Sequence, residues 1–276
     1  MGCIFQSRPR TRLPLLLKIS LELAHLSRVR LINLHVRMEP EHARALLHLE
    51  PLQRRAGRGI SASTNYTLSS CEGLPTQVGG TPNVASGYTN PADPDLDYGN
   101  CNSLRRHSFN LSASAQTAQF SRPALRMALS DWRLSGILRS ASGSRFSVTS
   151  GLDRAFNGQN GQRASSVAGQ DPYGDRSSTS NYLNPAAFAQ PASGTFGDTK
   201  RNAYEGPGRT TVDLSLVRLF SVFGTRRMEV RAEAFNVMNT FVRNNPGSNL
   251  NQTATFGRIT GAGDPRIMQF AVKFEF

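Results

Sequence analysis

The sequence lacks a long apolar run. Its longest uncharged apolar stretch, Leu13–Leu17, ends at Lys18, whereas a membrane-spanning helix needs about 20 such residues. Cysteine is scarce, with three in 276 residues, which excludes a disulfide-dense scaffold. Charged residues make up only 18%, beside 24 Gly and 15 Pro, and this composition does not suit a coiled coil or a long helical bundle. We therefore expect a loop-rich chain built mainly from β-strands.

Acidic residues are also few, and the excess of positive charge is uneven. The net charge is +13, yet the first 55 residues alone hold ten Lys and Arg against four Asp and Glu. Such a break predicts a boundary, so we divide the chain into a divergent basic segment, 1–45, outside the fold, and a folded part, 46–276. The first segment could form a short basic amphipathic helix at a membrane surface. The alternative, which we favour, is an extraneous stretch such as a wrongly placed start codon.

Beyond this boundary, apolar and polar residues alternate in several segments. Period-two alternation is typical of a strand with one side in an apolar medium and the other in water. The predicted strands lie near 59–70, 105–118, 131–149, 209–220, 226–239 and 266–276, with a weaker one near 45–54. The last strand is the clearest, because its apolar face continues to the final residue. That face consists of Met268, Phe270, Val272, Phe274 and Phe276.

The connections between these strands alternate in length. The turn at 221–226 is short, whereas 71–104, 151–209 and 240–264 are long and rich in Gly, Asn, Pro and Ser. Short turns at one end and long extracellular loops at the other are typical of outer-membrane barrels. The predicted fold class is therefore all-β: an antiparallel transmembrane β-barrel fragment of about six or seven strands with long extracellular loops. The edge of a soluble sandwich remains an alternative for the last strand.

Several segments resemble the C-terminal part of TonB-dependent outer-membrane receptors, in particular the Oar-like group with a carboxypeptidase-regulatory-like domain. The resemblance runs from about residue 46 to the end. The matching stretches are QRRAGRGISASTNYTLSSC (53–71), NPADPDLDYGNCNSLRRHSFNLS (90–112), WRLSGILRSASGSRFSVTSG (132–151), NPAAFAQPASGTFGDTKRNAYEGPG (184–208), VDLSLVRLF (212–220), RAEAFNVMN (231–239) and TFGRITGAGDPRIMQFAVKFEF (255–276). The last strand also resembles the signal that the barrel-assembly machinery recognises, with Phe276 as its terminal aromatic.

The resemblance implies a barrel segment that supplies a lipid-facing wall and a polar lumen for substrate uptake. Receptors of this group have 22 strands, a plug, a TonB box and a signal peptide, none of which the sequence shows, so we expect a truncated product. The implied location is the outer membrane of a Gram-negative type cell. The implied partners are outer-membrane lipid, the barrel-assembly machinery, the TonB system through the plug of a full-length parent, and a transported substrate whose identity stays open.

Other candidate sites are weaker. Cys71 and Cys101 bracket an Asp- and Pro-rich loop and could form a disulfide in an oxidising compartment or remain two free thiols. In that loop Asp93, Asp95 and Asp97 resemble the start of a calcium loop, but Tyr98 stands where the pattern needs Gly. We therefore favour an Asx- and Pro-rich loop and expect no metal site; loosely bound calcium in this loop is the alternative.

Catalysis finds little support in the sequence. His107, the one histidine after residue 55, is accompanied by no placed nucleophile, so we expect no catalytic residue, no cofactor and no enzymatic activity. A secreted or surface β-sandwich of adhesin type is the alternative function. A nucleic-acid-binding protein is the least favoured, because the arginines beyond residue 55 are dispersed rather than clustered.

Overall fold

The computed structural model describes residues 34–39, 42–56, 59–73, 89–90, 92–101, 104–222 and 227–275. The segment considered for an N-terminal helix, Cys3 and Phe276 lie outside these ranges. The strands are β1 (Leu34–Glu39), β2 (His42–Ala56), β3 (Ile60–Gly73), β4 (Gly99–Asn100), β5 (His107–Gln116), β6 (Trp132–Ala141), β7 (Arg145–Phe146), β8 (Ser165–Ser166), β9 (Phe188–Ala189), β10 (Tyr204–Glu205), β11 (Arg209–Ser221), β12 (Arg227–Phe235) and β13 (Ile267–Glu275).

Helices are few and short. The described residues form one α-helix, α1 (Pro123–Leu129), and two 3₁₀ turns, Pro94–Asp97 and Pro185–Ala187. Proline at the first turn of each suits these positions, because its missing N–H would find no partner within the helix. No helix in the described ranges combines the length and the apolar character needed to cross a membrane.

The main element is a single curled antiparallel sheet of half-barrel form. Its strands follow the order β1-β2-β3-β5-β6-β11-β12-β13, with β4 paired to the end of β3. The predicted all-β class and the six clear strands are confirmed, and the weak seventh corresponds to β2. β1 and the first residues of β2 extend the sheet into segment 1–45, which we expected to lie outside the fold; the boundary itself stays a prediction.

One predicted strand is shorter than the alternation suggested. The sequence indicated a strand over 131–149, whereas β6 ends at Ala141. At Gly143 the backbone approaches Gly206 so closely that an added Cβ would lie 1.8 Å from the Gly206 carbonyl oxygen. After Ala141 the chain therefore leaves the sheet and begins the long connection between β6 and β11.

The sheet has two chemically different faces, which follow from its register. We call the first the apolar face; it carries Met268, Phe270, Val272 and Phe274 of β13, opposite Ala234, Ala232, Val230 and Met228 of β12. Leu214 and Leu216 of β11 lie beside Ala234 and Ala232 and continue it. The second is the polar face, on which the intervening residues lie, because side chains alternate along each strand.

The long connections pack together into a folded unit, which we call the loop body: the described residues between β3 and β5, between β6 and β11, and between β12 and β13. Its core has edge-to-face aromatic contacts, with Phe188 at 5.2 Å from Tyr204 and 5.6 Å from Phe256 between ring centroids. The core residues are Phe146, Val148, Ala164, Tyr182, Leu183, Ala187, Phe188, Tyr204, Phe256 and Ile259. The hydrophobic core described in this chain thus lies in its loops and not on its sheet.

Candidate functional site

The polar face of the sheet is lined by small hydroxyl and amide side chains on β3 and β5. Ser61 and Ser114 share a hydrogen bond of 2.8 Å between their hydroxyl oxygens, and Asn110 donates to the amide oxygen of Asn65 at 3.0 Å. Both are directly opposed pairs in the register of the two strands. Such cross-strand pairs stabilise a sheet and leave a surface that water or a polar solute can contact.

Charged side chains of both signs occupy the polar face further along the sheet. Arg139 of β6 pairs with Asp213 of β11, and Asp213 also accepts the backbone N–H of Asn236 at 2.9 Å. On β12, Arg231 lies between Glu229 and Glu233, at 2.6 and 3.6 Å. Each of these charges has an opposite neighbour, so this part of the face is hydrophilic and its charges are paired.

The loop body contains a buried ion pair. Arg163 pairs with Asp97, and each side chain is 5% exposed. The Arg163 Nε also donates to the Thr199 carbonyl at 2.7 Å, and Thr89 donates its hydroxyl to Asp97 at 2.8 Å. Burial raises the pKa of Asp97, but the hydrogen bonds from Arg163 and Thr89 outweigh it and hold the pKa below its ordinary value.

This pair determines what the carboxylates of the acidic run contact. Asp97 is committed to Arg163, whereas Asp93 and Asp95 are exposed. The 3₁₀ turn Pro94–Asp97 therefore directs only its last carboxylate inward, and that carboxylate is already neutralised. In the described ranges no cluster of three or more His, Cys, Asp or Glu side chains could hold a metal ion.

Cys71 and Cys101 are joined by a disulfide in the structure, with their Cα atoms 5.5 Å apart. The Cys101 N–H also donates to the Cys71 carbonyl at 3.0 Å. The bond ties the end of β3 to the segment that carries Asp97. On the far side of that segment, Asn100 and Asn202 exchange side-chain to backbone hydrogen bonds of 3.0 and 2.7 Å, so the loop is held against the rest of the loop body.

Tyr173, Tyr182 and Tyr204 lie together in the loop body, and two of their hydroxyls form hydrogen bonds with the backbone. The Tyr182 hydroxyl donates to the Glu205 carbonyl at 3.0 Å, and the Tyr173 hydroxyl accepts the Glu205 N–H at 2.8 Å. Burial raises the pKa of Tyr204 to about 12. The arrangement is that of a packed core and presents no nucleophile next to a base.

The structure brings Cys71 and Cys101 together and places the predicted apolar residues of β13 in one row. On the apolar face of β13, Phe270 is 76% exposed and Val272 is 58% exposed, so this row is available to an apolar medium; Phe276 lies outside the described residues. His107 accepts or donates a 2.7 Å hydrogen bond with the Tyr66 hydroxyl. The sequence reasoning missed Arg163 and the aromatic core, because their partners come from segments far apart along the chain.

Comparison with known proteins gives one family. The model of the outer membrane beta barrel domain matches residues 51–269, which is most of the chain and includes the strands from the end of β2 to the first residues of β13. No curated protein and no solved structure matches the chain.

Proposed function

Because the chain belongs to the outer membrane beta barrel domain family, we propose that it forms part of the wall of a TonB-dependent, Oar-like receptor that takes up a substrate across the outer membrane. In this proposal the apolar face contacts lipid and the polar face lines the lumen. The loop body stands at the extracellular end, because the short turns of such barrels face the periplasm.

The observation that carries the proposal is the combination of the two faces. The bilayer core offers no water, so side chains that face it should need no hydrogen bond. The apolar face of β13 meets this condition with four large apolar side chains. The opposite surface carries paired charges and hydroxyls that tolerate water. The folded loop body adds a rigid rim from which a substrate could be contacted, and its surface residues are where specificity would reside.

The sheet also supports the idea of a larger parent. In the described part of the chain, β13 pairs with β12 alone and β1 with β2 alone. Open edges are unfavourable in lipid, where every backbone polar group needs a partner. We propose that further strands of a parent receptor complete the barrel, and that its plug contacts TonB. The barrel-assembly machinery would recognise β13 through the apolar row that ends at Phe276.

Photocrosslinking in cells that express the protein tests this proposal. When the position of Glu233, on the polar face, carries a photoreactive amino acid within the full-length parent, it should capture a plug segment in the outer-membrane fraction, and TonB should be recovered with the receptor. The matched position is the adjacent Ala232, on the apolar face, which should crosslink to lipid only. Recovery of the chain in the medium instead would favour the adhesin-like alternative, and the absence of a plug adduct at Glu233 would contradict a TonB-dependent receptor.

A further inference from the structure

An arginine of β11, Arg218, lies on the apolar face. Arg218 of β11 is opposed by Trp132 of β6 on one side and Val230 of β12 on the other. It follows Leu214 and Leu216 in the same alternating row, so its side chain leaves the sheet toward lipid. The position is near the end of β11, two residues before Phe220, at the end of the sheet where the short turns lie.

The guanidinium of Arg218 is held between two aromatic rings. Its carbon atom lies 4.9 Å from the centroid of Trp132 and 4.5 Å from that of Phe220, within the range of cation–π attraction. Its Nε atom is buried and has no hydrogen-bond partner in the structure. The nearest acidic residue along β12, Glu229, lies on the polar face and pairs with Arg231. Within the described part of the chain, the two rings therefore fix the position of the Arg218 guanidinium, but no carboxylate neutralises its charge.

The helix α1 lies next to this arginine. The Trp132 Nε1 donates to the Ala128 carbonyl at 2.9 Å. This hydrogen bond connects one of the two rings that contact Arg218 to the helix. Leu125, Met127 and Leu129 are 40%, 76% and 47% exposed, and apolar side chains of this kind are favourable at the boundary of a bilayer.

A cavity of about 540 Å³ opens on the same end of the sheet and is lined by Phe220, Arg126 and Asp131 among others. The Asp131 carboxylate accepts a hydrogen bond from Gln119. Arg227 also lines the cavity, which therefore presents two arginines and one committed acid at the short-turn end of the sheet.

We propose that Arg218, Trp132 and Phe220 bind the phosphate headgroup of an anionic phospholipid in the periplasmic leaflet of the outer membrane. A cation on a lipid-facing surface needs an anion near the interface, and guanidinium matches phosphate geometry. The short-turn end of the sheet faces the periplasm, which selects a phospholipid over the lipopolysaccharide of the outer leaflet. This proposal depends on the part of the proposed function in which the chain is an outer-membrane barrel wall. It does not depend on coupling to TonB or on substrate transport.

Native mass spectrometry of the full chain, refolded in detergent with added phosphatidylglycerol, tests the site. Arg218→Leu should lower the retention of phosphatidylglycerol about fivefold, since one cationic contact at a membrane surface contributes about that factor. Trp132→Leu should lower it too, because it removes one of the two rings that position the guanidinium. The matched control is Arg133→Leu, which removes an arginine at the same level of β6 but on the polar face; its retention should equal that of the wild type. Circular dichroism establishes that each variant has the wild-type β-content before it is compared.

Three results would overturn the proposal. The first is unchanged retention in both Arg218→Leu and Trp132→Leu, and the second is an equal loss in Arg133→Leu, which would reflect net charge alone. The third is displacement of phosphatidylglycerol by lipopolysaccharide at equal concentration. Displacement by millimolar inorganic phosphate would also contradict a lipid site, because a free anion would then suffice.

Discussion

At the scale of single residues, burial separates the ionic contacts that stabilise this protein from those that mainly keep a surface hydrated. Arg163 and Asp97 are both 5% exposed, whereas the side chains of Arg231 and Glu229 are 45% and 25% exposed. Removal of one partner from a buried pair leaves an uncompensated charge, and exposed pairs contribute little. The buried pair is therefore the ionic contact on which the loop body depends most, and it joins residues 66 positions apart along the chain.

Asp97→Asn should destabilise the loop body by about 3 kcal/mol, because Arg163 would remain buried without its counter-charge. The measurement is hydrogen exchange of the backbone amides in residues 144–206, which should become faster in the variant. The matched control is Asp95→Asn, the same change at an exposed position of the same 3₁₀ turn, which should leave exchange unchanged. Equal effects from the two variants would contradict the role of the pair.

The same pair predicts a pH dependence. The pKa of folded Asp97 lies below its ordinary value of 3.8, so its stabilising contribution is present above that value and is lost as pH falls through the folded-state pKa. Protection of the loop body should therefore decline below about pH 4 more steeply in the wild type than in Asp97→Asn. Parallel pH profiles for the two proteins would show that other groups control the acid transition.

The disulfide gives a second prediction at this scale. Thiol labelling of the unfolded chain without reductant should modify one cysteine, Cys3, and with reductant all three. Reduction should lower the free energy of unfolding of the loop body by about 3 kcal/mol, given the 30-residue separation. Labelling of three thiols without reductant would contradict the bond.

At the scale of elements, the strands were the predictable part of the structure. Alternation over 209–220 or 266–276 depends only on neighbouring residues, and both segments form strands at nearly those bounds. The loop body was not predictable in the same way. Val148 and Leu183 are fully buried, but nothing in their local sequence shows that they meet, because the contact depends on how three connections fold over one another.

The two faces of β13 give a prediction that compares adjacent residues. Phe270→Arg places a charge on the apolar face at the level of Ala232 and should prevent stable insertion, at a cost of about 2–4 kcal/mol near the bilayer midplane. Gln269→Arg places the same charge on the polar face, next to Glu233, and should be tolerated. Folding into phospholipid vesicles, followed by protease protection, measures both. If both variants failed to insert to a similar extent, the side of the sheet on which the charge lies would not decide insertion, and the prediction would be wrong.

At the scale of the whole molecule, the net charge of +13 is divided among surfaces that face different media. Arg139 and Arg231 on the polar face pair with acids, Arg163 is buried in the loop body, and Arg218 lies on the apolar face. The sequence could predict a β-barrel fold because alternation is a local property. The sequence could not predict the partner of each arginine, since those partners are set by strand register and loop packing.

The central claim is that the apolar face contacts lipid and the polar face does not. The most direct test is fluorescence quenching by brominated phospholipid of single tryptophans at positions 269, 270, 271 and 272, with Trp132, the one native tryptophan, replaced by Phe. We expect strong quenching at 270 and 272 and little at 269 and 271, because these residues alternate between the faces of β13. Equal quenching at all four positions would contradict the account.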